Sequence, residues 1–423
     1  MRFPILHSML VLVLGSSPHA FAEDWPAFRG PTYQGTSLET NLPLTWSVGE
    51  NVVWKTVIPG EGWSSPIIWG DLVFLTTATD GGTRCHVLAL QRQTGTVRWD
   101  REVFQQVPGH RQERNSYASP TPCTDGQRVY ACFGDGSFVA VDFEGQTVWT
   151  NRAFPFYGEH GLATSAILHD DLLIMARDGS SSGEDKYLGW KKPWGEDFVL
   201  ALDKNTGQLR WRAQRGLARI AHCVPGIWTA PDGQAQVVSE AGDVLQGFDA
   251  RTGKLIWTSE CIGEGPVPSA VLGEGLAFTC GGWHGRDSIK AFRLGGVGDL
   301  KETNLVWEQR KSAPKIPSLL YLKPFLYGIT DGGVAICLRA ATGEVLWQER
   351  IGGNFAASPV ANQDRLYFLS DEGETTVIAT GSEFKILARN ALHEKCQASL
   401  AVAPEHLFIR TLGRLYCIGP KFP

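Results

Sequence analysis

The chain has few of the features that usually announce a reaction. Its nine cysteines form no adjacent pair and no Cys-x-x-Cys, and their number is odd, so no disulfide framework is written in their spacing. Cys123, Cys132, Cys280, Cys337 and Cys417 fall in apolar runs and are expected to behave as small buried hydrophobes. There is no Gly-rich phosphate loop, no His-x-x-His and no grouping of nucleophile, base and acid. Charge of one sign is also lacking: 39 Lys and Arg stand against 44 Asp and Glu, with no block of either. A nucleic acid or an anionic membrane surface would need a basic stripe, so neither partner is implied.

Long apolar runs are absent beyond the first residues. Arg2 followed by the run Ile5 to Gly15 is too short to span a bilayer comfortably, and Ala20-Phe21-Ala22 has the small-x-small form of a cleavage site. Residues 1–22 are therefore expected to be a signal peptide, which predicts a periplasmic or secreted protein. No cysteine lies near the cut to take a lipid anchor, and no later stretch predicts a transmembrane segment.

Glycine (48) and tryptophan (15) are abundant instead. They recur together: a strand, a turn with glycine, then a strand carrying tryptophan. ALDKNTGQLRW, ending at Trp211, is the cleanest copy; others end at Trp54, Trp99, Trp149, Trp257, Trp307 and Trp347. The steps between them are 45, 50, 62, 46, 50 and 40 residues. A four-stranded propeller blade needs about 40–45. A second register, serine before a small or apolar residue, falls between at Ser65, Ser119, Ser165, Ser269, Ser318, Ser358 and Ser399, with Val224-Pro225 in the remaining place. These positions are expected on the innermost strands, facing a crowded channel.

Both registers count eight. After Ser399 only three strands fit before Pro423, while Asn51 to Val57 is an orphan strand at the other end. The expected fold is all-β, an eight-bladed propeller closed by the N-terminal strand completing the last blade. Residues 23–49 would form a strap and 50–423 the propeller. The turn glycines supply positive φ, and the flat indoles pack blade on blade, a structural role. The seventh copy, Phe384 to Asn390, lacks tryptophan and is expected to be the loosest.

The run from Ala201 to Trp211 resembles the tryptophan-docking motif of pyrroloquinoline-quinone (PQQ) repeat propellers, and WPAFRGP (Trp25 to Pro31) resembles exported bacterial members. That family contains dehydrogenases holding PQQ and calcium over the channel, many with an adjacent-cysteine disulfide and some with a Cys-x-x-Cys-His haem domain. This chain has neither motif, so the resemblance inclines to the non-enzymatic branch, which includes the scaffold of the outer-membrane β-barrel assembly machine. The expectation is a non-catalytic protein-binding scaffold with no cofactor. A PQQ- and calcium-dependent oxidoreductase and a carbohydrate-binding propeller are the alternatives.

Loops joining the blades share a face with loops joining second and third strands. That face collects His110, Arg111, Arg114, Tyr117, His160, Arg177, His222, Trp283, His284 and Arg286, together with Trp63, Trp190, His393 and the insertion from Asp178 to Asp197. It is the expected ligand face, and a protein or peptide the expected partner.

Overall fold

Apolar residues fill the two middle strands of each repeat almost without interruption. All six residues of Leu172–Arg177 are buried, whereas Leu209–Gln214 buries only Trp211 and Ala213. Middle strands are covered on both faces by neighbouring sheets, and outer strands on one, which is why only the outer ones alternate. The computed structural model describes residues 24–422 apart from 184, 186, 262, 264, 283–286 and 302. The expected signal segment, and Trp283, His284 and Arg286, lie outside the described residues.

Eight antiparallel four-stranded sheets form the ring. Blades 1 to 7 cover 67–105, 123–151, 167–214, 226–260, 271–309, 320–350 and 360–391. Blade 8 consists of 401–418 and takes Val52–Val57 as its outer strand, paired with Arg414–Ile418. The N-terminal strand thus closes the ring as expected. Blade 4 gains a short parallel fifth strand, Gly298–Asp299, beside Trp257 and Thr258.

Each outer strand carries a bulge one step before the docking position. Trp211 faces Ala201 while Leu209 faces Leu202, and the same shift precedes Trp54, Trp99, Trp149, Trp257, Trp307 and Trp347. The extra residue turns the indole towards the next blade. There its Nε1–H donates to a backbone carbonyl: Trp54 to Arg92, Trp99 to Phe143, Trp149 to Lys204, Trp211 to Ala250, Trp307 to Ala340 and Trp347 to Gly381. In all of these but Trp347 the ring lies on the turn glycine of that blade. A Cβ on Gly253 would stand 2.6 Å from Trp211, and one on Gly343 2.6 Å from Trp307. Trp257 departs from the pattern and donates to Gln236 of its own blade, beneath the added strand.

Blade 7 has Ala388 in the tryptophan register. Its outer side is nevertheless packed: Leu42, Leu44 and Trp46 of the strap join the cluster that includes Ala388, Leu392 and Phe408. Asn390 ties them down, accepting from Trp46 N–H and donating to Leu44 C=O. The strap supplies from outside the indole that the seventh repeat lacks.

Residues 24–37 make the second use of the strap, as a plug. The N–H groups of Ile68, Thr124, Leu168, Leu272 and Ala361 donate in turn to Trp25 O, Pro26 O, Tyr33 Oη, Gln34 Oε1 and Gly35 O, at 2.8–3.0 Å. These five groups occupy one register position on the innermost strands of blades 1, 2, 3, 5 and 7. An inner strand is an unpaired edge facing the channel, and the strap satisfies it. Trp25 is fully buried there and Phe28 faces the channel above.

Candidate functional site

Closed from below by the plug, the channel becomes a bowl of about 1200 Å³ open towards the loop face. Its wall is a belt with one residue per blade: Ser65, Thr121, Ser165, Val224, Ser269, Ser318, Ser358 and Ser399. Each belt residue sits two positions before its inner strand. The belt is laced from blade to blade, with the N–H of Ser65 on Thr121 Oγ1, Thr121 on Ser165 Oγ, Val224 on Ser269 Oγ, Ser269 on Ser318 Oγ, Ser318 on Ser358 Oγ and Ser358 on Ser399 Oγ, all 2.9–3.0 Å. The second place belongs to Thr121, not Ser119 as expected. Ser119 lies two residues earlier, where its hydroxyl bonds Ser116 and Asn115 within the loop.

Above the belt the bowl is lined by Trp63, Gln112, Arg114, Asn115, Glu159 and His160, and across from them by Asp331, Asn354 and Gln397. The loop carrying Gln112 to Asn115 overhangs the opening, held by Arg111 on Glu61 (3.2 Å) and by Asn115 Nδ2 on His160 O (2.7 Å). His160 and His222 stand with ring centres 5.9 Å apart. Burial, helped by the neighbouring His160, holds His222 down at about 4, so it is a neutral imidazole at ordinary pH. Asp331 accepts the N–H groups of Lys315 and Ile316 with Oδ1, clasping the loop that leads into Ser318.

Of the expected face residues, Trp63, Arg114, His160 and His222 reach the bowl. Arg111 braces the overhanging loop, and Tyr117 stacks under its guanidinium at 4.8 Å with its hydroxyl on Gly109 O. His110 and His393 are exposed on their loops. Arg177 is a correction: it is 1% exposed, donates to Gly136 O and Phe154 O, and lies over Phe138 and Phe156 inside the ring. It ends a middle strand that is buried on both faces. Phe28, Glu159, Arg219 and Asp331 were not singled out from sequence, since they stand outside both repeat registers.

Beside the bowl the insertion of blade 3 builds a second feature. Its base is locked by Asp178, paired in full burial with Arg215 (2.7 Å), and by Asp197, whose Oδ1 accepts Gly179 N–H. Burial and the nearby Asp178 push Asp197 up to about 8. From this base Tyr187 and Trp190 project about half exposed and stacked at 6.2 Å, with Lys191 over both rings and Arg219 over Trp190 at 5.6 Å. Tyr157 and Leu217 on the flanking loops are also about half exposed. Tyr187 and Trp190 thus form an aromatic ledge on the insertion, flanked on the loop face of blades 2 to 4 by the exposed Tyr157 and Leu217.

A family model described as outer membrane protein assembly factor BamB, built of PQQ-type repeats, matches residues 45–156, 195–282 and 293–418. The chain belongs to this family. The matched segments contain all seven docking tryptophans and leave out residues 157–194, where Tyr157, Tyr187 and Trp190 lie. Among solved structures, BamB from Moraxella catarrhalis is 14% identical over 87% of this chain and 99% of its own, with a TM-score of 0.60. A europium-containing methanol dehydrogenase is 10% identical over 94% and 98%, with a TM-score of 0.53. At such identities these two likenesses show the fold alone. A tetrathionate hydrolase of Acidithiobacillus ferrooxidans is 23% identical over 298 residues, 65% of this chain and about half (51%) of that protein.

Proposed function

We propose that the protein is an exported, non-catalytic scaffold that holds a protein segment against the loop face of blades 2 to 4. The observation that carries this reading is the ledge. Tyr157, Tyr187, Trp190 and Leu217 are each between 43% and 49% exposed, on loops anchored to a rigid ring. Large apolar side chains gathered on a surface mark an interaction site, and rigid aromatics with neighbouring cations are what binding hot spots are made of. The family description, an assembly factor, points the same way.

An oxidoreductase would need PQQ with its calcium ion, which takes several oxygen ligands around one point, and the two carboxylates among the described residues lining the bowl come from loops on opposite sides of it. Glu159 stands beside His160, and Asp331 is committed to two backbone donors on the far side. The hydrolase likeness covers 65% of this chain and leaves about half of that protein unmatched.

The test is partner capture by the tagged mature protein. Tyr187→Ala with Trp190→Ala should weaken capture tenfold or more, about 1.4 kcal/mol, while the melting temperature stays within about 2 °C of the parent. Capture unchanged in that double variant would refute the reading.

A further inference from the structure

The lower half of the bowl has a chemistry of its own, independent of the ledge. Thr121, Ser165, Ser269, Ser318, Ser358 and Ser399 each use the hydroxyl oxygen to accept an N–H from the preceding blade. A hydroxyl still has one O–H to give. None of these six donates to a protein group among the described residues, and all six residues line the cavity. The neck of the channel is therefore ringed with unused donors.

Two cations stand directly behind this ring. Arg29, in the plug, is 1% exposed and places Nη2 on the carbonyl oxygens of Leu319 and Gln34; Leu319 follows Ser318 of the belt. Arg410, in blade 8, is 2% exposed and places Nη1 on the carbonyl and hydroxyl of Ser64, which precedes Ser65 of the belt. Arg29 Nε and Nη1 and Arg410 Nε are buried without any partner. Neither guanidinium forms an ion pair with a carboxylate among the described residues, and burial pulls both down to about 9. Buried charges in proteins are ordinarily paired, and an uncompensated one acts strongly at short range where water is excluded. The plug makes the floor at the same time: Phe28, next to Arg29, lines the cavity.

We propose that the neck of the bowl is an anion site, in which the belt hydroxyls bind the oxoanion or carboxylate head of a small acidic molecule and Arg29 and Arg410 supply the countercharge. The rest of the ligand would occupy the wider space above, against Trp63 and the neutral His222, in a cavity large enough for a molecule of metabolite size. The rim above the neck carries both signs, Glu159 and Asp331 with Arg114 and Arg219, so the buried guanidinium groups behind the belt, and not the mouth, decide that the anionic end enters first.

Calorimetric titration of selenate into the full exported chain at fixed ionic strength tests the site, with crystals grown in selenate to locate the ion by its anomalous signal. The expected result is saturable one-site binding, with selenium on the channel axis inside the belt. Arg29→Gln should weaken it at least tenfold, and Glu159→Gln should leave it equal or tighter. Should Arg29→Gln fail to fold, Arg410→Met and the pair Ser318→Ala, Ser358→Ala offer the same test away from the plug, each with the same tenfold loss. A parallel titration with citrate separates the two sources: citrate binding at the belt without selenate binding assigns a carboxylate head, and selenate binding without citrate an inorganic oxoanion. No saturable heat with either anion, a selenium peak away from the belt, or binding of neutral maltose in the neck in their place would overturn the proposal.

Discussion

At each of six blade joints an indole lies across the neighbouring blade and hydrogen-bonds a carbonyl there, and five of these rings rest on a turn glycine of positive φ whose Cβ would overlap the ring. Gly253 has φ +72°, and a Cβ on it would stand 2.6 Å from the Trp211 ring. Trp211→Ala should destabilise the protein by about 3–5 kcal/mol in denaturant melts. Gly253→Ala should cost about 1–3 kcal/mol through overlap and the positive φ. Because the two share one contact, the double variant should cost clearly less than the sum; strict additivity would show that they do not touch. The tryptophans were legible in the sequence as a period, and the turn glycines as positive-φ residues. Their meeting across the joint was not, since nothing in one repeat says which residue of the next it touches. The belt was legible for a similar reason and misplaced once, because Ser119-Pro120-Thr121-Pro122 offers two candidates a pair apart. Glu240 gives a pH test. It is buried, and desolvation pushes its carboxyl up to about 8 from an ordinary 4.5. The native state then holds a proton that the unfolded chain releases, so this group's stabilisation is complete below about pH 4.5 and falls as pH rises to about 8. Glu240→Gln should therefore gain about 1–2 kcal/mol over the parent at pH 8 and nothing at pH 4. An equal gain at both would refute the assignment.

The strap and the closing strand are the elements on which the ring depends, and they do different work. Val52–Val57 completes blade 8 and carries Trp54, which docks on blade 1 through Arg92 O. Deleting 24–57 should leave blade 8 with an exposed strand edge and no staple, giving aggregation on a sizing column. Deleting only 24–37 removes the plug and leaves the closing strand, so the protein should remain monodisperse with a lowered melting temperature. Aggregation from the shorter deletion and not from the longer would reverse these roles. Counting strands after Ser399 revealed the closure, because a missing strand at one end and an orphan at the other have one economical solution. The plug left no such trace. Residues 24–37 have no period, and their contacts reach inner strands from Ile68 to Ala361, so their place follows from the finished ring. Arg177 misled for the opposite reason: it ends a strand beside the loop face, but both sides of that strand are covered.

For the whole molecule, the ring is a rigid mount, and what differs between its two faces decides its use. The turn face is made of short hairpins such as Asp125-Gly126 and Asp232-Gly233, with exposed Gln127 and Gln234 beside them. The loop face bears the bowl, the overhanging loop and the ledge, in part within residues 157–194 that the family model does not match. Calorimetry with PQQ and excess calcium should show no saturable heat, and dye-linked oxidation of alcohols should stay at background; stoichiometric binding with turnover would make the protein an oxidoreductase. The scaffold reading itself rests on which face meets a partner. A photo-crosslinking residue at position 190 on the ledge and another at position 234 on the turn face, compared in living cells, measure that directly. Discrete crosslinked protein adducts from position 190, with none from 234, are the expected result. Adducts from position 234 alone would contradict the account.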